Sequence, residues 1–227
     1  MNIGIITAME SELSEINLKE DGLYHVGDFS IRETRTKKNT LYSSHSSVGK
    51  ASASSLATIL VTLFECKKII FFGVAGAIND SYEVGDIIIA DQLCQYDVDL
   101  TSFGYTLGAT QHFNELYIET SKELNQKFHQ ICRSENIAFH RGVIATGDTF
   151  IADVSRRCEI YNLFHADAVE MEGGAIAFVC KRFNIECAVV RSISDKASEN
   201  AEKFFADNLS LAVNNISLLV NKYIELL

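Results

Sequence analysis

Carboxylic side chains follow several apolar segments of this chain. Glu12 lies after the first such segment, Asp148 ends "GVIATGD", Asp195 ends "CAVVRSISD", and "ADAVEME" carries Glu170 and Glu172. Carboxyl groups can exchange protons with a bound molecule or accept hydrogen bonds from its hydroxyl groups. Each of them could equally cap a helix or lie in solvent at the end of a strand. The elements that carry these acids decide between the two interpretations.

Short apolar segments of strand character alternate with helical patterns along the chain. The segments predicted as strands are "NIGIIT", "TLYSSHSSV", "KKIIFFGVAG", "VGDIIIADQL", "HRGVIATGD", "ADAVEME" and "CAVVRSIS". Helices are predicted over residues 50–64, 114–135, 153–164 and 202–227, and after the glycine pair that follows "VEME". This alternation predicts an α/β fold in which a mixed, mostly parallel central β-sheet is flanked by α-helices. We expect one domain over residues 1–227.

In such a sheet, loops and helix N-termini converge at the carboxyl ends of the strands, and ligands bind there. The acids are therefore expected to lie near one another at that edge. If Glu170 and Glu172 both belong to the strand, they share one face and Met171 takes the other. A buried pair of like charges is unfavourable unless one member is solvated, protonated or bound. We expect Glu172 to face a ligand and Glu170 to form an ion pair outside the pocket.

Composition narrows the classes of partner. The formal net charge is -10, which opposes binding to a phosphate backbone, so no nucleic acid partner is expected. No apolar stretch reaches the roughly 18 residues that span a bilayer, so we expect a cytoplasmic protein without a membrane partner. The six cysteines form no CxxC pair, which favours reduced thiols and no metal site. Neither GxGxxG nor a phosphate-binding GxxxxGK[ST] loop occurs, so no cofactor is expected.

Several segments together resemble one family, the nucleoside phosphorylases and nucleosidases, and within it the 5′-methylthioadenosine/S-adenosylhomocysteine nucleosidases. The segments occur in the family's order and run along most of the chain: "IGIITAMESEL", "VGKASAS", "FFGVAGAINDSYEVGDIIIAD", "YDVDLTSFGY", "ATGDTFI", "AVEMEGGAIAFVC" and "VVRSISDKA". The resemblance implies the three-layer nucleoside phosphorylase fold. It also implies hydrolysis of the bond that joins adenine to a 5′-thio-substituted ribose, a reaction of methionine salvage and S-adenosylmethionine recycling.

The resemblance assigns opposite proton-transfer roles to two of the acids. Asp195 would be the general acid at adenine N7, and Glu12 the base that positions and activates water. Asp195 must then hold a proton near neutral pH while Glu12 stays ionised. Ser194 is expected to support the neutral form of Asp195 through a hydrogen bond. Arg191 is expected to contact Glu12 or the water, with an ordinary ion pair as the alternative.

Other residues would contact the nucleoside itself. By the same resemblance, Glu172 would accept hydrogen bonds from the ribose hydroxyls and Met171 would lie against the sugar. Phe150 would pack on adenine, with a core phenylalanine as the alternative, and the Ile151 backbone would pair with the adenine edge.

The loop "TSFGY" bears on assembly and on specificity. Phe103 and Tyr105 match family positions that line the 5′ pocket of a neighbouring subunit, which implies a homodimer. Two features depart from the family. Val74 stands where family members commonly carry a hydroxyl, so hydrogen bonding there must come from the backbone or from another residue. The loop over residues 103–113 lacks the family's proline-bearing stretch, which leaves open the choice of 5′ substituent.

Three alternatives remain at this point. A phosphorylase would need arginines near the nucleophile, whereas the first loop here carries Glu12 and no arginine. A 6-amino-6-deoxyfutalosine nucleosidase of menaquinone biosynthesis would keep the adenine and ribose contacts and differ only at the 5′ pocket. A non-catalytic nucleoside-binding protein would need neither a proton donor nor a water activator.

Overall fold

The computed structural model describes residues 1–227, and its central feature is a ten-stranded sheet. The strands are β1 (Asn2–Thr7), β2 (Gly22–Val26), β3 (Phe29–Arg35), β4 (Thr40–His45), β5 (Lys68–Ala77), β6 (Ile87–Gln95), β7 (Ile118–Glu119), β8 (Phe139–Thr146), β9 (Ala168–Glu170) and β10 (Glu186–Asp195). The helices are α1 (Glu10–Ser14), α2 (Lys50–Thr62), α3 (Lys122–Ser134), α4 (Val154–Phe164), α5 (Gly173–Phe183) and α6 (Ala201–Glu225).

The strands follow the order β10-β6-β8-β9-β5-β1-β4-β3-β2, with β7 beside β6. Because β10 also pairs with β5, the strands β5, β10, β6, β8 and β9 form a closed ring. The prediction of a mixed sheet flanked by helices is confirmed. The sheet is not strictly parallel: five pairings are parallel and five are antiparallel. The antiparallel pairs arise where the β2–β4 segment extends the sheet, where the ring closes, and where β7 pairs with β6.

Some elements differ from the sequence-based predictions. The hairpin of β2 and β3 was not predicted, because β2 is a short edge strand whose residues are mostly exposed. The predicted helix over residues 114–135 begins only at Lys122, where the Ser121 hydroxyl accepts a hydrogen bond from the Leu124 N–H. Upstream of this cap, β7 pairs with β6. Glu12 lies in the short helix α1 rather than in a loop.

Apolar side chains fill both faces of the sheet. In β5, Ile69 and Phe71 pack on the side of α2 and α5, whereas Ile70 and Phe72 pack on the side of α3 and α6. This alternation follows from the two-residue period of a strand covered on both faces. Helices on two sides therefore hold the central strands rigidly, and the ends of those strands can position side chains with precision.

All six cysteines are free, and five of them are buried. None of the helices combines the length and the apolar character that a membrane crossing would require.

We predict that Phe128→Ala lowers the free energy of unfolding by about 3 to 5 kcal/mol, because it removes a buried ring from the core. The Phe128 side chain is fully buried, and its ring centroid lies 5.7 Å from that of Phe72 and 4.7 Å from that of Tyr223. Denaturant unfolding measures the change. Phe183→Ala is the matched control, since this helical phenylalanine is 46% exposed. Equal losses in the two variants would contradict the assignment of Phe128 to the core.

Candidate active site

A cavity of about 320 Å³ opens at the carboxyl ends of the central strands. It lies where β1, β5, β9 and β10 end and α5 and α6 begin. Most of the residues predicted for the site line this one cavity: Glu12, Val74, Phe150, Met171, Glu172, Arg191, Ser194 and Asp195. Side chains that are far apart in the sequence therefore meet because their strands end at the same edge.

Glu12 is held by backbone amides at the end of β1. Its side chain is buried, and Oε2 accepts hydrogen bonds from the Ala8 N–H at 2.9 Å and the Met9 N–H at 2.8 Å. Oε1 accepts from the Val74 N–H at 3.1 Å, so the backbone of Val74 supplies the polar contact that its side chain lacks. Burial raises the pKa of Glu12, against the charge of Arg191 and the three amides.

The Arg191 guanidinium is the buried positive charge of the site. Its Nη2 donates to Glu170 Oε2 and lies 3.7 Å from Glu172 Oε2. The guanidinium also stacks on the Phe71 ring, with 3.7 Å from its carbon to the ring centroid. Its Nε and Nη1 have no hydrogen-bond partner within the chain. Arg191 therefore has two buried donors that no group of the chain satisfies.

The expectation that Glu170 lies outside the pocket is wrong. Glu170 does form an ion pair, with Arg191, but both side chains are buried and Glu170 lines the cavity. The reason is that β9 ends at Glu170, whose Oε2 then accepts from the Glu172 N–H at 3.1 Å and the Gly173 N–H at 2.7 Å at the start of α5. The Thr146 hydroxyl donates to its other oxygen. Glu170 thus joins a strand end, a helix start and Arg191.

Glu172 is the residue that caps the N-terminus of α5, and not a strand residue. The idea that Glu170 and Glu172 share one face of a strand is therefore wrong. Glu172 is buried, and its Oε1 accepts a hydrogen bond from the Gly49 N–H at 2.8 Å. Burial and the neighbouring Glu170 raise the pKa of Glu172 to about 7. Met171 lies between the strand and the helix and lines the same cavity.

Asp195 is the last residue of β10 and lines the same cavity. It is buried, Oδ1 accepts from the Ala197 N–H at 2.8 Å, and Oδ2 accepts from the Ser194 hydroxyl at 2.8 Å. Burial raises the pKa of Asp195, and these two hydrogen bonds oppose the rise. When Asp195 is ionised, the hydrogen bond from Ser194 stabilises the carboxylate, so it opposes the rise in pKa and does not cause it. Burial is what favours the protonated form.

Close approach of Glu12 and Arg191 depends on Gly73. A Cβ at this position would lie 2.3 Å from Arg191 Nη1 and 2.8 Å from Glu12 Oε1. Both distances are shorter than van der Waals contact. Only glycine therefore leaves room here for the two charged groups on one side of the β5 strand.

The aromatic residues predicted for the site are not all brought to the cavity. Phe150 lines it and is 40% exposed, so it is not a core residue. Ile151 is buried behind the cavity, and no hydrogen bond within the chain uses its backbone N–H or C=O. Phe103 and Tyr105 do not line the cavity, and Phe103 is 79% exposed in a short 3-10 turn.

Two lining residues on α6 were not predicted. Glu202 and Phe205 lie at the start of this helix, and the Phe205 ring centroid is 5.9 Å from that of Phe150. The sequence pattern assigned Phe205 to the core, because it shares the three- and four-residue spacing of the apolar face of α6. Nothing in that spacing distinguishes the first turn, which covers the cavity, from the later turns, which cover the sheet.

Known proteins resemble this chain along nearly its whole length. The family model described as the phosphorylase superfamily matches residues 2–225. The chain belongs to this superfamily. An aminodeoxyfutalosine nucleosidase of Campylobacter jejuni is 34% identical, with 98% of this chain and 99% of the relative covered. A 5′-methylthioadenosine/S-adenosylhomocysteine nucleosidase of Buchnera aphidicola is 37% identical, with 100% and 96% covered.

Solved structures of superfamily members have the same fold. The structure of a futalosine hydrolase of Helicobacter pylori matches with a TM-score of 0.96 at 31% identity, covering 100% of this chain and 98% of that one. A 5′-methylthioadenosine/S-adenosylhomocysteine nucleosidase of the same organism matches with a TM-score of 0.95 at 32% identity, covering 100% and 99%. The family resemblance seen in the sequence is therefore confirmed, and these relatives within the superfamily are nucleoside hydrolases.

We predict that Glu170→Gln lowers the free energy of unfolding by about 3 kcal/mol or more, because Arg191 then stays buried without its ionised partner. The side chains of this pair are 1% and 2% exposed. Chemical denaturation monitored by circular dichroism measures the loss. The control is Glu159→Gln, whose pair with Arg156 is 50% and 40% exposed and should contribute less than about 1 kcal/mol. A Glu170→Gln variant as stable as the control would contradict the structural role of the buried pair.

Proposed function

We propose that this chain hydrolyses the N-glycosidic bond of 5′-thio-substituted adenosines, such as 5′-methylthioadenosine and S-adenosylhomocysteine, and releases adenine. The observation that carries the proposal is the meeting of Glu12, Glu172 and Asp195 around one cavity. Relatives that bear this activity in their names cover nearly the whole chain at 34 to 37% identity, which supports it.

Asp195 acts on the adenine as the general acid. When the bond between ribose C1′ and adenine N9 breaks, its electron pair stays on the purine, which then needs a proton. Asp195, with its pKa raised by burial, donates its proton to N7, and adenine leaves as the neutral molecule. Phe150 offers a ring for the adenine face, and the free backbone groups of Ile151 offer a donor and an acceptor for its edge.

Glu12 and Arg191 act on the ribose side of the bond that breaks. Loss of adenine leaves positive charge on the ribose, which water attacks from the opposite face. Glu12 takes a proton from this water, and the water oxygen forms the new bond to C1′. The Ala8, Met9 and Val74 amides hold the carboxylate, and the positive charge of Arg191 favours its ionised form.

Glu172 is proposed to bind the ribose. An ionised carboxylate can accept one hydrogen bond from each of two neighbouring hydroxyls. Its Oε1 already accepts from the Gly49 N–H, which fixes the orientation of the group before a nucleoside arrives. Met171 follows β9 directly and supplies an apolar surface against the sugar.

The charge of the cavity favours water over phosphate. Glu12, Glu170 and Glu172 surround the single guanidinium of Arg191, which is already paired. A phosphate dianion at this position would meet net negative charge in a poorly solvated space. A binding protein without turnover is also disfavoured, because simple binding requires neither Asp195 nor Glu12.

A second candidate is hydrolysis of 6-amino-6-deoxyfutalosine. Nucleosidases named for this substrate, from Campylobacter jejuni and Helicobacter pylori, match 89 to 98% of the chain at 32 to 34% identity. The same adenine and ribose contacts would serve, and only the 5′ group would differ.

We also propose a homodimer that completes the site. Phe103 is a large apolar side chain left 79% exposed near the end of β6, although it takes no part in the cavity of its own chain. Tyr105 lies in the same loop and is half-buried. Contact with a second copy would cover both rings and enclose the 5′ substituent.

We predict that the purified protein releases adenine from 5′-methylthioadenosine in buffer free of phosphate, because water is the proposed nucleophile. Chromatographic detection of adenine and of the free pentose measures this. Adding phosphate should not speed release or give a pentose 1-phosphate. Adenine release that requires phosphate would overturn the hydrolase in favour of a phosphorylase.

We predict that Asp195→Asn lowers kcat by about 100-fold or more while 5′-methylthioadenosine still binds, because the amide fills the same space but has no acidic proton to transfer. Single-turnover kinetics and equilibrium binding separate the two quantities. Asp207→Asn on the exposed side of α6 is the control and should retain full kcat. An Asp195→Asn variant with the kcat of the control would show that another group is the general acid.

A further inference from the structure

Glu202 has a distinct position among the charged residues that line the cavity. Glu12, Glu170, Glu172, Arg191 and Asp195 are all buried at its base. Glu202 is exposed, and its side chain forms no ion pair or hydrogen bond with the rest of the chain. Glu202 is therefore an unpaired charge at the mouth of the cavity, and it can interact with a ligand that enters.

The helix around Glu202 fixes this position. Glu202 lies in the first turn of α6, where the helix dipole favours a negative charge. Phe205 follows one turn later on the same face and reaches the Phe150 ring at 5.9 Å between centroids. The mouth thus combines apolar walls with a single acid.

The base and the ribose take the buried part of the cavity, where Asp195, Glu172 and Glu12 lie. The volume of about 320 Å³ is at the lower end of the range for ligand pockets, so a long 5′ substituent must extend toward the mouth. The 5′ end is also the part of the nucleoside in which the candidate substrates differ. Any charge on the 5′ substituent would therefore lie near Glu202.

We infer that Glu202 selects among 5′ substituents by charge, favouring those that are neutral or carry an ammonium group and disfavouring those that carry a carboxylate alone. This inference rests on the proposed function and deepens it. The 5′ substituent of 5′-methylthioadenosine is neutral. That of S-adenosylhomocysteine ends in an ammonium and a carboxylate, and that of aminodeoxyfutalosine ends in a carboxylate only. Between the two candidate functions, Glu202 favours the thioadenosines.

Substitution Glu202→Gln tests the inference, because it removes the charge and keeps the size of the side chain. The measured quantity is kcat/KM for the three nucleosides at low ionic strength, expressed relative to 5′-methylthioadenosine. We expect the ratio for aminodeoxyfutalosine to rise roughly two- to fivefold and the ratio for S-adenosylhomocysteine to fall by a similar factor, as for one exposed charge. Both shifts should shrink as salt is added.

Glu199→Gln is the matched control, since Glu199 is an exposed acid in the turn just before α6 that does not line the cavity. Its ratios should equal those of the unsubstituted protein. Equal changes for all three nucleosides in Glu202→Gln, or the same shifts in Glu199→Gln, would overturn the inference and leave the nucleosidase intact. Failure of the unsubstituted protein to release adenine from any of the three nucleosides would overturn the proposed function as well.

Discussion

One buried guanidinium holds the site together. Arg191 is surrounded by carboxylates from three different elements, and it is the only cation that lines the cavity. Burying several like charges is unfavourable unless a counter-charge and hydrogen bonds offset the loss of hydration. The ion pair between Arg191 and Glu170 supplies such a counter-charge. Glu170 also holds the start of α5, where Glu172 is the N-cap residue. Gly73 leaves the space in which Glu12 approaches the same guanidinium.

The environments of Glu12 and Asp195 differ in a way that matches their proposed roles. Burial raises the pKa of both groups. Glu12, however, has three amide donors and the charge of Arg191 to favour its ionised form. Asp195 has two donors and no charged group among the causes of its shift. A neighbouring cation thus favours the ionised form of Glu12, whereas no charged group does so for Asp195. This difference suits an acid at one end of the nucleoside and a base at the other.

Much of the fold and of the site could be predicted from the sequence, and the failures have physical reasons. Apolar runs identified the central strands because these are covered on both faces, whereas the exposed strand β2 gave no such signal. The acids at strand ends were found because parallel strands end at a common edge. Glu170 was placed outside the pocket because two buried like charges are unfavourable, and its buried pairing with Arg191 could not be inferred from the sequence. Glu202 and Phe205 were missed because their helix covers both the sheet and the cavity.

The central claim is that a single nucleoside binds between Glu12, Glu172 and Asp195. Determining the crystal structure of the Asp195→Asn variant with 5′-methylthioadenosine bound tests it most directly. The account predicts adenine N7 within hydrogen-bond distance of the residue at 195, both ribose hydroxyls on Glu172, and Glu12 facing the opposite side of C1′. A nucleoside bound elsewhere, or one whose ribose points away from Glu172 and Glu12, would contradict it.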